Sequence, residues 1–151
     1  MTTVAFGADD CTEAARFILQ ELRRRGFDVR TYGAIEGAGE PWGEIGVRVG
    51  RDVASGLAQT GIVCCYTGTG VTMAANKVAG VRAALCADAE VARGARAWND
   101  ANVLGLALSR LSVDSAREIL DAWFEPIEVD SDEQPSIDLL AAVERGLALS
   151  D

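Results

Sequence analysis

Short apolar segments alternate with segments of helical periodicity along the 151 residues, and this alternation constrains the fold more than any other feature. Strands are predicted at 3–6, 27–32, 61–65, 81–86 and 103–108. Helices are predicted at 12–25, 42–58, 71–77 and 89–97, and a fifth helix with Ser112 as its N-cap carries residues 116–124. Such an order produces a parallel sheet with helices on both faces. We therefore expect one α/β domain over residues 1–151 with a five-stranded parallel sheet.

The composition changes after Phe124. Acidic residues and two prolines crowd the segment 125–136, which we interpret as a solvated loop, and a final helix is predicted at 137–149. The acidic loop is either an exposed connector or a surface that contacts a partner subunit.

Composition excludes several function classes. The net charge of −9 argues against a nucleic-acid partner, because phosphate backbones are bound by basic surfaces. The chain has no apolar run of about 18 residues and no signal-peptide pattern, so we expect a cytoplasmic protein that does not enter membranes. The absence of histidine excludes Ser-His and Cys-His triads and histidine metal sites. The four cysteines are expected to be free thiols, without metal-ligand spacing.

The segment Thr67-Gly68-Thr69-Gly70 follows a predicted buried strand and opens a helix. Backbone N–H groups at such a turn, together with the helix dipole, favour a bound anion or a developing oxyanion. The segment matches neither a Walker loop nor G-x-G-x-x-G, so a simple tight turn is the alternative interpretation. Cys65 immediately precedes it, where a thiolate is favoured and can remove a proton next to a carbonyl. A buried apolar cysteine is the alternative, which suits Cys64 and Cys86 better.

Three groups of residues are expected to lie beyond the carboxyl ends of the predicted strands and to form a common site. Ligands of parallel α/β sheets bind beyond the carboxyl ends of the strands. We expect Asp9 and Asp10, the segment 65–70, and the segment 98–100 to converge there.

Three sequence segments resemble the ribose-5-phosphate isomerase B and galactose-6-phosphate isomerase family. They are Gly7-Ala8-Asp9-Asp10, the stretch from Cys65 to Cys86 with its Ala74-Ala75-Asn76-Lys77 motif, and Trp98-Asn99-Asp100-Ala101-Asn102-Val103-Leu104. The resemblance runs in register from residue 3 to about Phe124. It implies a Rossmann-like three-layer α/β/α fold, no cofactor or metal, and a homodimer or tetramer whose sites are shared between subunits.

The resemblance also implies roles for individual residues. Family members interconvert aldose and ketose phosphates through an enediolate, and by position Cys65 matches the cysteine that moves the proton. Thr67 matches the threonine beside it, and Gly68, Thr69 and Gly70 match the loop that binds the oxyanion. Asp9 and Asn99 match residues that contact the substrate.

Several positions depart from the family pattern. Asp10 and Trp98 stand where the family has histidines that bind substrate and help to open the sugar ring. Trp42 is interpreted as the replacement of a site tyrosine, Tyr66 replaces the first loop glycine, and Ser109 stands where an arginine is expected. The arginine-rich end that holds phosphate is replaced by the acidic segment, which would repel a phosphate.

The proton-transfer residues are thus retained while the substrate-binding residues differ. We expect an aldose–ketose isomerase that acts on a carbohydrate-like small molecule, either open-chain or lacking phosphate. Trp42 and Trp98 favour an apolar ligand face, with simple packing as the alternative. Two other functions fit the same residues. One is epimerisation or dehydration with Asp10 or Asp9 as a second acid–base group, and the other is a non-catalytic partner subunit.

Overall fold

A computed structural model describes residues 2–151 and contains the predicted parallel sheet. The sheet order is β2-β1-β3-β5-β4, and every neighbouring pair is parallel. The strands are β1 (Thr3–Ala8), β2 (Asp28–Gly33), β3 (Thr60–Cys65), β4 (Ala83–Leu85) and β5 (Val103–Ala107). The fold class predicted from the sequence is confirmed.

Helices cover both faces of the sheet. They are α1 (Glu13–Arg24), α2 (Trp42–Ala54), α3 (Thr69–Asn76), α4 (Ala89–Asn99), α5 (Val113–Trp123) and α6 (Gln134–Glu144). Helices α1, α4 and α5 lie on one face, where they contribute to a core with Phe6, Ile62 and Leu104. Helices α2 and α3 lie on the other face with Ala5, Val63 and Val103. Cys64 belongs to the first core and Cys65 to the second, as the alternation of side chains along a strand predicts.

Several predicted boundaries were wrong for identifiable reasons. Helix α2 stops at Ala54 rather than near residue 58, because Gly56 takes a positive φ of 80° and bonds back to Val53. Strand β4 has three residues instead of six, because Val81 is held in a turn by its bond to the Val78 carbonyl. Helix α4 continues to Asn99 and ends at Asp100, whose φ is 47°.

The predicted acidic loop over 125–136 is shorter than expected. Residues 131–133 form a 3₁₀ turn, and α6 starts at Gln134 with proline in its first turn and ends at Glu144. Only Ile137 of this helix is buried, while Leu139, Leu140 and Val143 are exposed. The final helix therefore packs loosely on the rest of the protomer.

Glycines allow α2 to approach α3 closely. A Cβ atom at Gly46 would lie 2.6 Å from the Val71 carbonyl oxygen and 2.6 Å from the Ala74 Cβ. One turn earlier, the Trp42 ring covers Gly70, whose Cβ would lie 2.9 Å from that ring. The spacing of four residues places Trp42 and Gly46 on one face of α2, so this packing fixes the amino end of α3.

Within residues 2–151, no helix combines the length and the apolar character that crossing a bilayer requires.

The α2–α3 contact can be tested by stability measurements. Gly46→Ala should lower the free energy of unfolding by about 1–3 kcal/mol, because the added methyl overlaps backbone atoms of α3. Gly43→Ala is the matched control, since nothing lies within 4 Å of its Cβ position. It should stabilise the helix by up to about 1 kcal/mol. Equal changes in the free energy of unfolding for the two variants, measured in urea, would contradict the close packing of α2 on α3.

Candidate active site

The carboxyl ends of β1 and β3 meet at the centre of the sheet. Strand β1 lies between β2 and β3, so the connection from β1 to β2 and the connection from β2 to β3 run in opposite directions along the sheet. Ligands of such sheets bind in the crevice at this switch point. Ala8 pairs with Cys64, and the Asp9 N–H donates to the Cys64 carbonyl at 3.2 Å. Asp9 therefore lies beside Cys65, as the sequence predicted.

The turn after Cys65 is held by β5 and by its own helix. Gly68 has a φ of 75°, and a Cβ there would lie 2.8 Å from the Leu106 carbonyl carbon. The Ser109 N–H donates to the Tyr66 carbonyl at 2.9 Å. The Thr72 hydroxyl donates to the Gly68 carbonyl at 2.6 Å. Only glycine fits at Gly68, for both conformational and steric reasons.

The amino end of α3 is open to a ligand. No side chain caps it, and Gly68 is the N-cap residue. Thr67 and Thr69 are exposed, and their hydroxyl oxygens are 2.8 Å apart. Uncapped N–H groups and the helix dipole give this end a positive potential, which is compatible with an anion or an oxyanion at the turn.

The buried cysteines differ in their surroundings. Burial is the main cause that raises the pKa of Cys64, and it raises the pKa of Cys86 to about 11. The Cys86 Sγ also donates to the Ala84 carbonyl at 3.5 Å. Both groups therefore remain thiols at neutral pH. Cys65 is 5% exposed and is the cysteine that directly precedes the turn.

The two aspartates after β1 take different positions. Burial, and then the charge of Asp10, raise the pKa of Asp9 above its usual value. Asp10 is exposed and accepts a hydrogen bond from the Cys11 N–H at 2.8 Å. The site thus holds one partly desolvated carboxyl group beside a solvated one.

The predicted convergence of the segment 98–100 with Cys65 is wrong within one protomer. Helix α4 starts at the carboxyl edge of the sheet and ends at the amino edge, where the Asp100 carbonyl accepts from Arg82 Nε at 2.7 Å. Asn102 then bonds to Gly61 at the start of β3. Four strand residues separate the two edges, which corresponds to about 13 Å. Trp98 packs over Gly94 of its own helix, and Asn99 is exposed at that far edge.

Trp42 lies beside the turn, and Arg110 is a further residue near the turn that was not among the predicted site residues. Trp42 lies against Gly70 and is 48% exposed. Arg110 lines a cavity of about 250 Å³ together with Thr67, Cys86 and Leu111. Arg110 makes no salt bridge within residues 2–151. Its position three residues after the end of β5 is the signal that could have identified it.

The acidic segment lies away from the turn within a protomer. Helix α5 ends at the amino edge, where the Trp123 indole donates to Thr60 at 3.0 Å. Glu125 then pairs with Arg93 of α4 at 2.8 Å, and the Asp130 N–H donates to the Ala97 carbonyl. The carboxylates therefore do not face Cys65 of their own chain.

Within residues 2–151, no three or more Cys, Asp or Glu side chains are grouped so that they could hold a metal ion.

The structure is a three-layer α/β/α fold in which the uncapped start of a helix lies beside a cysteine and an aspartate. Residues 4–140 match the family described as Ribose/Galactose Isomerase. The chain belongs to this family.

Relatives over most of the chain carry isomerase names. Ribose-5-phosphate isomerase B of Escherichia coli is 31% identical, and the alignment covers 96% of this chain and 98% of that protein. D-erythrulose-4-phosphate isomerase of Pectobacterium atrosepticum is 32% identical over 83% of this chain and 84% of that protein. The structure of ribose-5-phosphate isomerase B from Clostridium thermocellum superposes with a TM-score of 0.89 at 32% identity, covering 95% of this chain and 98% of that chain.

The raised pKa of Asp9 predicts a pH-dependent stability. The folded state keeps the Asp9 proton to higher pH than the unfolded state, so stability falls as pH rises above 3.8 through the folded pKa. Asp9→Asn should therefore raise Tm at pH 7 by about 1–3 °C, because a partly exposed carboxylate contributes less than about 1 kcal/mol. It should leave Tm at pH 3 unchanged. Asp28→Asn, at an exposed position, controls for the loss of one charge.

Proposed function

We propose that this protein is an aldose–ketose isomerase in which Cys65 transfers the proton and the turn Thr67–Gly70 binds the oxyanion. The observation that carries the proposal is the position of Cys65, which ends β3 directly before the uncapped amino end of α3 and beside Asp9. A thiolate there removes the proton from the hydroxyl-bearing carbon next to the carbonyl. The electron pair forms an enediolate, whose negative oxygen is stabilised by the N–H groups of the turn.

The second half of the reaction delivers a proton to the neighbouring carbon, and the Cys65 thiol can exchange its hydrogen with solvent before it does so. Cys65 donates it to the former carbonyl carbon and is a thiolate again, so no oxidant or co-reactant is consumed. A proton must also move from one substrate oxygen to the other. Asp10, exposed beside Asp9, is the group that we assign to this transfer.

The substrate that fits best is a short, open-chain sugar. The chain has no histidine, and ring opening at neutral pH needs a proton-transfer group of that kind. A four-carbon sugar with phosphate on its last oxygen has no free hydroxyl that can close a five-membered ring. One relative is named for such a compound, D-erythrulose 4-phosphate. The free guanidinium of Arg110 beside Thr67 supports an anionic substituent at that end.

An unphosphorylated sugar remains the second candidate substrate. Trp42 presents half of its surface beside Gly70 and would favour a less charged ligand. The two substrates differ only in the anionic group, so they can be compared directly in one assay.

We further propose that two copies of the chain share each site. Trp98 and Asn99 lie at the amino edge of their own sheet, so they can reach a turn at Cys65 only in another copy. The exposed apolar side chains of Leu139, Leu140 and Val143 on α6 line a groove of about 690 Å³ and would be covered by that copy.

Solvent-deuterium exchange tests the reaction and its substrate. Incorporation next to the carbonyl should be fastest with D-erythrulose 4-phosphate, slower with erythrulose, and slowest with ribose 5-phosphate. Cys65→Ala should reduce the rate at least about 100-fold, the usual contribution of a general base. Cys64→Ala should retain it, because that side chain lies in the core on the opposite face of β3 from Cys65.

Three results would overturn these assignments. Unchanged exchange in Cys65→Ala would remove the proposed base. Fast exchange with ribose 5-phosphate would contradict the open-chain substrate. Exchange without aldose–ketose interconversion would favour epimerisation.

Mixing two inactive variants tests the shared site. Cys65→Ala and Asn99→Ala should each be nearly inactive alone. A mixed dimer of the two variants combines an intact Cys65 and an intact Asn99 in one of its two sites. After unfolding and refolding an equal mixture, about a quarter of wild-type activity should return. No recovery, although size-exclusion chromatography shows dimers, would place the whole site in one chain.

A further inference from the structure

A cavity of about 250 Å³ lies on the β4 side of the candidate active site. Its apolar walls come from Leu85, Ala107 and Leu111, while Thr67 and Arg110 bring a hydroxyl and a guanidinium to its lining. Since Thr67 belongs to the turn that we propose for the oxyanion, the cavity directly adjoins the reacting centre. It exceeds the roughly 150 Å³ at which an apolar cavity holds a benzene ring, so a phosphate or carboxylate with its carbon fits in it.

The backbone around Arg110 is tied to the turn. The Ser109 N–H donates to the Tyr66 carbonyl at 2.9 Å, and the Leu111 N–H donates to the Leu108 carbonyl at 3.4 Å. The Arg110 side chain is exposed and makes no salt bridge within residues 2–151. The main chain therefore fixes where the side chain starts, while its charge is available to a ligand.

The Thr67 hydroxyl is a second donor at the cavity. Its oxygen lies 2.8 Å from the Thr69 hydroxyl oxygen, and either hydroxyl can donate to the other. When Thr69 donates, the Thr67 hydroxyl keeps its proton for an anion, and hydrogen bonds in such a chain strengthen one another. Both side chains are exposed and neither caps α3, so the N–H groups of the helix remain open beside them.

The opposite side of the candidate active site is negative. Strands β1 and β5 flank β3, so Asp9 and Asp10, which follow β1, lie on the other side of the turn from Arg110, which follows β5. Burial and then the charge of Asp10 raise the pKa of Asp9, as expected when two carboxyl groups repel each other. An anionic substituent on the β1 side would add a third negative charge, whereas on the β5 side it meets a guanidinium.

We propose that the substrate binds with its anionic end in this cavity, held by Arg110 and the Thr67 hydroxyl, and with its reacting carbons between Cys65 and Asp10. This inference rests on the proposed isomerase function and adds the direction in which the sugar lies across the turn. The anion is a compact phosphate or carboxylate, because a guanidinium donates two parallel hydrogen bonds to such groups. The apolar walls offer no partner to further hydroxyl groups, so the chain beyond the reacting carbons should be short.

Two arginines at the carboxyl edge discriminate between the two directions. Arg16, near the start of α1, donates to the Cys11 carbonyl at 2.6 Å on the β1 side and makes no salt bridge within residues 2–151. In isothermal titration calorimetry, Arg110→Gln should bind erythritol 4-phosphate, a polyol phosphate that cannot isomerise, about 10- to 100-fold more weakly than the wild type. Arg16→Gln is the matched control and should bind it with wild-type affinity.

Moving the guanidinium by one residue tests its position rather than its charge. Ser109→Arg combined with Arg110→Ser keeps the net charge of −9 and should bind erythritol 4-phosphate as weakly as Arg110→Gln does. Arg110→Lys keeps a cation in place and should recover part of the affinity. The exposure of Arg110 predicts an unchanged Tm for the free Arg110→Gln variant. Wild-type affinity in Arg110→Gln or in the double variant, or a loss of affinity in Arg16→Gln, would overturn the proposal.

The same titrations identify the anion and separate this inference from the proposed reaction. Erythronate carries a carboxylate at the end of a four-carbon chain, so comparing its dependence on Arg110 with that of erythritol 4-phosphate shows which anion the cavity takes. If the wild type isomerises no sugar while Arg110→Gln weakens anion binding, the isomerase proposal fails and the anion site stands. If wild type and Arg110→Gln isomerise D-erythrulose 4-phosphate with the same KM, this inference fails alone.

Discussion

The close contact between the start of α3 and strand β5 is the constraint on which the site depends. Gly68 lies against the Leu106–Ala107 backbone, and Gly105 leaves space for the Thr72 side chain. The Thr72 hydroxyl donates a hydrogen bond to the Gly68 carbonyl, so the turn is held both by β5 and by its own helix. Any Cβ at either glycine would lift the helix from the sheet. The uncapped N–H groups belong to this turn. Gly68, Gly105 and the Thr72 hydroxyl therefore fix the direction of these groups relative to Cys65.

The sequence was most informative where hydrophobic periodicity and strand order act together. Five strands, their parallel arrangement and the first five helices could be predicted, because each element buries one apolar stripe or one apolar run. The opposite directions of Cys64 and Cys65 follow from the strand alone. The limits of β4 could not be predicted, since they depend on a turn at Val81. The start of α6 was missed because the proline in its first turn was assigned to the acidic loop. For the candidate site, the sequence predicted that Asp9 and the turn after Cys65 lie at the carboxyl edge, because both directly follow a strand.

The misplacement of Trp98 and Asn99 has a topological cause. Residues that follow a strand lie at the carboxyl edge, whereas residues that end the next helix lie at the amino edge. The segment 98–100 ends α4 and precedes β5, so its placement could have been deduced once α4 was known to extend to Asn99. The same topology moves the acidic segment after α5 to the amino edge, beside the end of α4, so its charge does not act on the turn of its own chain. Arg110 follows β5 and is found at the carboxyl edge for the same reason.

The distribution of satisfied and unsatisfied carboxylates points to the same edge of the sheet. Glu21 is buried, but hydrogen bonds from Arg24 are the main cause that lowers its pKa to about 2, so its burial is compensated. Asp52 is buried and accepts from Arg30 at 2.8 Å and Tyr32 at 2.6 Å. Asp9 instead has a raised pKa, caused first by burial and then by the charge of Asp10, and it makes no salt bridge within residues 2–151. It directly follows β1 and lies at the carboxyl edge. A chain that pairs its buried carboxylates with arginine, yet leaves this partly buried one without a cation, gives up stability where a ligand can restore it, which is the usual relation between stability and function at a binding site.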